Sequence, residues 1–421
     1  MAGADARAAV ETVWRIESAR LIAALARLVR DVGLAEDLAQ DALLAALESW
    51  PRTGVPDNPG AWLMATAKNR AIDLARRSQT YERKREEVAH ELGVLMAMDG
   101  VDLAAAADDE IGDDLLALMF TCCHPSLSTE ARVALTLRLL GGLTTAEIAR
   151  AFFVGEPTVA QRLTRAKRTL REARADFEVP AGPALRARLP DVLEIVYLVF
   201  NEGYAASSGE RWVRDELCQE ALRLGRILAE LAPAEPEAHG LIALLEIQAS
   251  RLPARLGPDG EPVLLLDQRR TLWDPLLISR GLAALKRAEE LPAPLGPYGL
   301  QAAIAACHAR APETEDTDWV RIAALYAALG ALSPSPIVEL NRAVAVGMAF
   351  GPETGLALLE RIASDPTLRD YHLLPSVRAD LLARLGRSAE AVAEFHRAAS
   401  LTENESERRL LLRRATEATD R

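Results

Sequence analysis

Residues 143–173 read "LTTAEIARAFFVGEPTVAQRLTRAKRTLREA", and their spacing decides the local fold. Thr144 and Glu147 head an apolar periodic run, the pattern in which a hydroxyl and a carboxylate satisfy orphan amides at a helix start. That run predicts a helix to about Phe152. Gly155 supplies a turn, and Pro157 suits the first position of a second helix, where its missing N–H costs nothing. On the second helix Val159, Leu163, Ala166 and Leu170 recur at helical steps and form a core face. Thr158, Gln161, Arg162, Thr164, Arg165 and Arg168 fall on the other faces, as amide and guanidinium groups able to reach base edges or phosphates in a major groove. The two helices read as a helix-turn-helix.

The charge around this motif is uneven. The 421 residues carry 49 basic and 61 acidic side chains, a net charge of -12 that alone argues against a nucleic-acid binder. Between 160 and 175, however, Arg162, Arg165, Lys167, Arg168, Arg171 and Arg174 stand against Glu172 alone. Half of the chain is apolar and only 5% aromatic, with leucine and alanine at helical rather than two-residue spacing. The expected class is all-α, in two to four domains. The longest apolar candidate for a membrane span, "VLEIVYLVF" at 192–200, is far short of about 20 residues and contains Glu194. With no apolar signal core at the amino terminus and only Cys122, Cys123, Cys218 and Cys307 as thiols, the expected setting is cytoplasmic, without a membrane partner.

Upstream lies "LAEDLAQDALLAALESWPRTGVPDNPGAWLMATAKNRAIDLARR" at 34–77. A helix over about 35–49 would carry Asp37, Gln40, Asp41 and Glu48 along one edge and Ala39, Leu43, Ala46 and Leu47 along another. A loop from Pro51 to Gly60 follows, rich in proline, glycine and asparagine. The next helix, about 61–77, turns basic through Lys68, Arg70, Arg76 and Arg77. Trp62 is read as helix packing.

"AEDLAQDALLAAL" with "NPGAWLMATAKNRAIDLARR" resembles region 2 of the extracytoplasmic-function sigma factors, and "LTTAEIARAFFVGEPTVAQRLTRAKRTL" resembles their region 4. The resemblance covers roughly residues 8–178. It implies that Asp37, Gln40, Asp41 and Glu48 face the clamp helices of core RNA polymerase. It also implies that the loop at 51–60 and the helix after it, through Asn69, Arg70, Arg76 and Arg77, recognise and help melt a minus-ten element. A loop pocket for an unstacked base and cations along the strand suit that task. Thr158, Gln161, Arg162 and Arg165 would read the minus-35 duplex, with Lys167, Arg168 and Arg171 on phosphates. Phe153 and Glu156-Pro157 depart from the family's turn pattern. An acidic chain remains compatible with promoter DNA, because the polymerase supplies most phosphate contacts.

The expected organisation is region 2 over 1–90, an acidic linker over 91–112, region 4 over 113–180 and a helical extension over 181–421. Residues 91–114 contain eight carboxylates and no basic residue, the composition of a solvated linker. "TCCHPSLSTEAR" at 121–132 lacks zinc-ligand spacing; buried thiols and a helix capped by Ser128 are expected instead. In the extension, Gly386, Ala391, Phe395 and Ala398 resemble the mid-repeat turn and second helix of a tetratricopeptide repeat, although Glu403 stands where a closing proline is usual. Gly351 lies 35 residues earlier, a repeat's length away. A tetratricopeptide-like α-solenoid is expected. Sigma factors with such an extension also show segments similar to "FNEGYAASSG" (200–209), "EPEAHGLIALL" (235–245) and "LLLDQRRTLWD" (264–274). The resemblance implies that the extension helps control the factor, through a protein or intramolecular partner. No phosphate-cradling loop, metal-ligand pair or nucleophile motif is legible, so no enzyme activity, cofactor or metal is expected. The alternative is a one-component helix-turn-helix activator with a helical-repeat sensor.

Overall fold

Leucine and alanine at three- and four-residue steps build amphipathic helices, and the computed structural model shows what those helices bury. It describes residues 2–77, 114–152, 154–180, 182–205, 213–257, 261–402 and 404–419. Among these residues no strand forms; Leu256 and Pro262 make an isolated antiparallel bridge. Contacts divide the chain into two compact units, Met1–Ile195 and Val196–Arg421, with the division inside one helix. The expected linker over 91–112 lies outside the described residues.

The first unit contains α1 (Ala2–Val29), α2 (Val32–Thr53), α3 (Pro59–Arg77), α4 (114–122), α5 (Thr129–Leu139), α6 (Thr145–Ala151), α7 (Glu156–Glu172) and the start of α8 (Pro183–Tyr204). Asp31 opens α2 by accepting from the amide of Leu34. The helix runs longer than the 35–49 expected, and Pro51 sits inside its last turn rather than in the loop. Pro51 lacks the N–H to continue the ladder and its ring crowds the carbonyl of Leu47, and the helix ends two residues later at the Gly54 cap. Asn58 then starts α3 by accepting from the amide of Ala61. Ala39 and Ala46 are fully buried, while Leu43 and Leu47 are only half-buried. Trp62 packs edge-on against buried Trp50, ring centroids 5.5 Å apart.

Asp114, expected at the end of the solvated acidic stretch, is instead buried in α4 and paired with Arg27 at 3.1 Å. The charge that composition assigns to solvent is neutralised by a partner 87 residues away in sequence. The amino-terminal turns of α8 belong with this unit: Arg188 donates to the carbonyl of Phe120 at 2.6 Å, and Asp191 pairs with Arg132 at 3.2 Å.

The second unit continues from α8 through α9 (Asp215–Leu231), α10 (Pro236–Ala249), α11 (Pro275–Glu290), α12 (Pro297–Arg310), α13 (Trp319–Leu332), α14 (Pro336–Phe350), α15 (Pro352–Glu360), α16 (Leu373–Arg384), α17 (Ser388–Leu401) and α18 (Glu405–Thr419). Its core is a succession of clusters in which each shares a helix with the next. Ala243, Ile247, Leu285 and Ala306 join α10, α11 and α12; Ile304, Ile322 and Ala345 join α12, α13 and α14. Leu340, Leu359 and Leu381 join α14, α15 and α16, and Leu382, Phe395 and Leu411 join α16, α17 and α18. Such nearest-neighbour burial is how stacked helical repeats are stabilised. Gly351 and Gly386 mark two of the turns, with φ of 103° and 73°, values that a side chain would strain.

Candidate nucleic-acid interface

The helix-turn-helix is built by its own local chemistry. Thr144 accepts from the Glu147 amide at 3.2 Å while the Glu147 carboxylate accepts from the Thr144 amide at 2.7 Å, a complete capping box on α6. The turn does not use a left-handed glycine: Gly155 has φ -67° and acts as the N-cap of α7. Pro157 consequently occupies the second helical position, which also has no intrahelical acceptor for its nitrogen. Phe153, the departure in the turn, lies outside the described residues. Val159, Leu163, Ala166 and Leu170 are the buried face of α7, and Thr158, Gln161, Arg165 and Arg168 are exposed, with Arg162 half-buried. Arg162 and Arg165 make no ion pair among the described residues, and Arg168 pairs loosely with Glu172 at 3.6 Å. The unclaimed donors therefore cluster on one exposed ridge.

The carboxyl-terminal half of that ridge is occupied. Lys167 is ion-paired with Glu36 of α2, and Arg138 of α5 meets the same carboxylate at 2.6 Å. Gln40 donates to Glu36 as well, at 2.6 Å. Arg171 donates to Asp31, with the closer contact at 2.6 Å. Glu36 is only 3% exposed, so its charge depends on these partners. Burial pushes its carboxyl up, but Lys167 and then Arg138 outweigh that and hold it below the usual carboxylate range. At Asp31 burial likewise pushes up, and the hydrogen bonds from Arg171 and Leu34 bring the carboxyl below its ordinary value. Gly33 lies beneath these side chains: a Cβ there would meet the Lys167 stem and the Arg171 guanidinium at 3.4 Å, an ordinary contact, and crowd only Asp31 Oδ1, at 3.1 Å.

The candidate residues on α2 and α3 divide differently. Asp37 and Glu48 are exposed; Gln40 and Asp41 are half-buried. Asp41 pairs with Arg70 at 2.8 Å, which brings together two residues expected to face different partners. Asn69 is exposed on α3. Arg76 and Arg77 lie on the same helix, but their side chains are outside the described residues. The thiols of Cys122 and Cys123 are buried, Cys123 pushed up to about 12 by burial, so neither supplies a thiolate near neutral pH. No group of three potential metal ligands, and no helix long and apolar enough to cross a membrane, occurs among the described residues.

Comparison with known proteins agrees with this geometry. Residues 15–81 match the family described as Sigma-70 region 2, and residues 117–170 match Sigma-70, region 4. Residues 188–289 match a family of unknown function (DUF6596). An ECF RNA polymerase sigma factor, SigK of Mycobacterium ulcerans, is 31% identical over 156 residues, 36% of this chain and 78% of that protein. The chain belongs to the ECF sigma factors.

A probable ECF sigma factor, SigI of Mycobacterium tuberculosis, is 28% identical over 167 residues, 39% of this chain and 55% of that protein. An uncharacterized protein of Rhizobium meliloti is 45% identical over 387 residues, 91% of this chain and 90% of its own length, so the similarity extends through the carboxy-terminal unit. No solved structure matches. Within this sigma factor the residues that pattern reading overlooked are Asp31, Glu36 and Arg138. Asp31 was legible as an N-cap, and Glu36 as a carboxylate set among Val32, Ala35 and Ala39 on an apolar face. Their partners were not, because they arrive from α5 and α7, about 100 residues and more downstream.

Proposed function

We propose that this sigma factor binds core RNA polymerase and directs it to promoters. In this reading α2 offers Asp37, Gln40, Asp41 and Glu48 to the clamp helices, and α3 offers Asn69, Arg70, Arg76 and Arg77 to the minus-ten element. Helix α7 reads the minus-35 duplex with Thr158, Gln161, Arg162 and Arg165, and Lys167, Arg168 and Arg171 hold phosphates. The single observation that carries the reading is the ridge of α7: exposed amide and guanidinium donors backed by a fully buried apolar face, behind a capped helix and a tight turn. Lys167 and Arg171 enter by exchange. A phosphate oxygen replaces the Glu36 or Asp31 carboxylate, one charge-assisted bond for another, so the cost is chiefly the separation of α7 from α2.

The organisation proposed with it keeps region 2 within 1–90, a linker over 91–112, region 4 within 113–180 and a tetratricopeptide-like extension after it that regulates the factor. The chained clusters and the left-handed glycines 35 residues apart support the repeat class. The test is run-off transcription with core enzyme on the cognate promoter. The full chain is expected to co-purify with core polymerase and to open promoter DNA only with it. Tight duplex binding alone, without co-purification, would overturn the reading in favour of a one-component activator.

A further inference from the structure

The second unit contains a concentration of buried positive charge that promoter recognition does not use. Arg251 and Arg255 leave the end of α10, each only 7% exposed. Arg255 lies over the ring of Tyr204 at 3.6 Å, and Arg251 lies 5.9 Å from the same ring and 5.8 Å from that of Trp273. Arg270 also lies over the Trp273 ring, at 4.8 Å. His308, on α12, is buried and sits edge-on to Trp319 at 5.1 Å. Three guanidinium groups thus crowd two aromatic rings.

Two of these cations are accounted for. Arg270 donates to the carbonyls of His308 and Ala311 and to the Thr317 hydroxyl, so it closes α12 and the turn after it. Arg255 stacks on and hydrogen-bonds with Tyr204. Arg251 is not accounted for: among the described residues its side chain has no hydrogen-bond acceptor and no carboxylate, and its Nε is fully enclosed. Among the described residues the Nε1 of Trp273 and the Nδ1 of His308 are also enclosed and without a hydrogen-bond partner. Aromatic faces attract a cation but do not neutralise it. A buried guanidinium with no counter-ion among the described residues, beside two others, is unfavourable unless an anion completes it. The repulsion is felt locally, since Arg251 lowers the proton affinity of Arg255, Arg270 and His308.

We propose that Arg251, with Trp273 and Arg255 beside it, binds the carboxylate or phosphate group of a small-molecule ligand in the carboxy-terminal unit. The guanidinium fork matches either oxyanion bidentately. The segments "FNEGYAASSG" and "LLLDQRRTLWD" contribute Tyr204, Arg270 and Trp273 to this one place, which gives both motifs a common purpose.

The full-length protein is titrated separately with inorganic phosphate and with acetate, against chloride at matched ionic strength, following tryptophan fluorescence and the melting temperature. Saturable stabilisation by one of the two, beyond the chloride control, is expected and identifies which oxyanion the site takes. Arg251→Met keeps the stem and removes the charge. It is expected to weaken that binding roughly thirtyfold or more while its anion-free melting temperature stays equal or rises, the opposite of what a purely structural arginine would do. Should Arg251→Met fail to fold, Arg251→Lys, which keeps the charge but loses the fork, is expected to weaken phosphate or acetate binding about tenfold. Absence of saturable binding by both probes, or binding that either variant leaves unchanged, overturns the proposal.

Discussion

Helix α7 and the turn after α10 are both arginine-rich, and they treat charge in opposite ways. On α7 the guanidinium groups are in water, loosely paired with Glu172 or held by Asp31 at the cap of α2, and the apolar face below them is complete. Around Arg251 the charge is inside, over two aromatic rings, with no acid among the described residues to meet it. An exposed cation costs the fold little and is free to trade partners, which suits the proposed exchange of the Glu36 and Asp31 carboxylates for phosphate. A buried one is held in a single place and selects what can join it. The same residue type serves reach in one unit and selection in the other.

The sharpest way to break the comparison is to remove the proposed base readers. Base-edge contacts are worth about 1–3 kcal/mol each, so Gln161→Ala with Arg165→Ala should lower run-off transcription roughly a hundredfold or more with core-polymerase binding unchanged. Loss of polymerase binding in the same variant would show that α7 has a different task. Next in size is Glu36→Ala, which leaves Arg138 and Lys167 without their shared anion. Both cations are partly solvated, so the expected loss is about 1–3 kcal/mol rather than the value for a fully enclosed pair. It should appear in chemical denaturation, together with tighter duplex binding in the absence of polymerase as Lys167 is released.

Truncation tests where the first unit ends. A fragment of residues 1–180 lacks the Arg188 bond to Phe120 and the Asp191 pair with Arg132. Each bond contributes about 1 kcal/mol, so that fragment should melt several degrees below 1–205. Equal melting temperatures would show that the start of α8 adds nothing to the first unit.

Acid separates the two arginine regions by the pH at which each yields. Burial, with Arg251 and Arg270 adding to it, lowers His308 from 6.5 to about 3. The unfolded chain therefore takes up the proton first, and stability is lost as pH falls through that window. Glu36 and Asp31 are held below 4.5 and 3.8, so their contribution is complete above the ordinary carboxylate range and is lost only as pH falls below it. Urea titrations between pH 6.5 and 5 should thus weaken the second unit and spare the contacts between α2 and α7. His308→Gln should flatten that slope. The smallest expected effect is that of Arg165→Met on stability, within about 0.5 kcal/mol, against the equal or higher melting temperature expected of Arg251→Met.

Much of this was written locally. The capping box, the buried stripe of α7 and the helical character of both units follow from spacings of three and four residues, which a helix converts directly into faces. Candidate readers such as Gln161 and Arg165 were legible because exposure on a short amphipathic helix is set by the same periodicity. Tertiary structure alone decided that Lys167 and Arg171 are claimed by Glu36 and Asp31, that Asp114 is buried beside Arg27, and that Arg251 is enclosed with no carboxylate partner among the described residues. Periodicity states which side of a helix faces inward. Whether a charge there meets its opposite depends on segments distant in sequence, and a pattern with a period of a few residues carries no record of them.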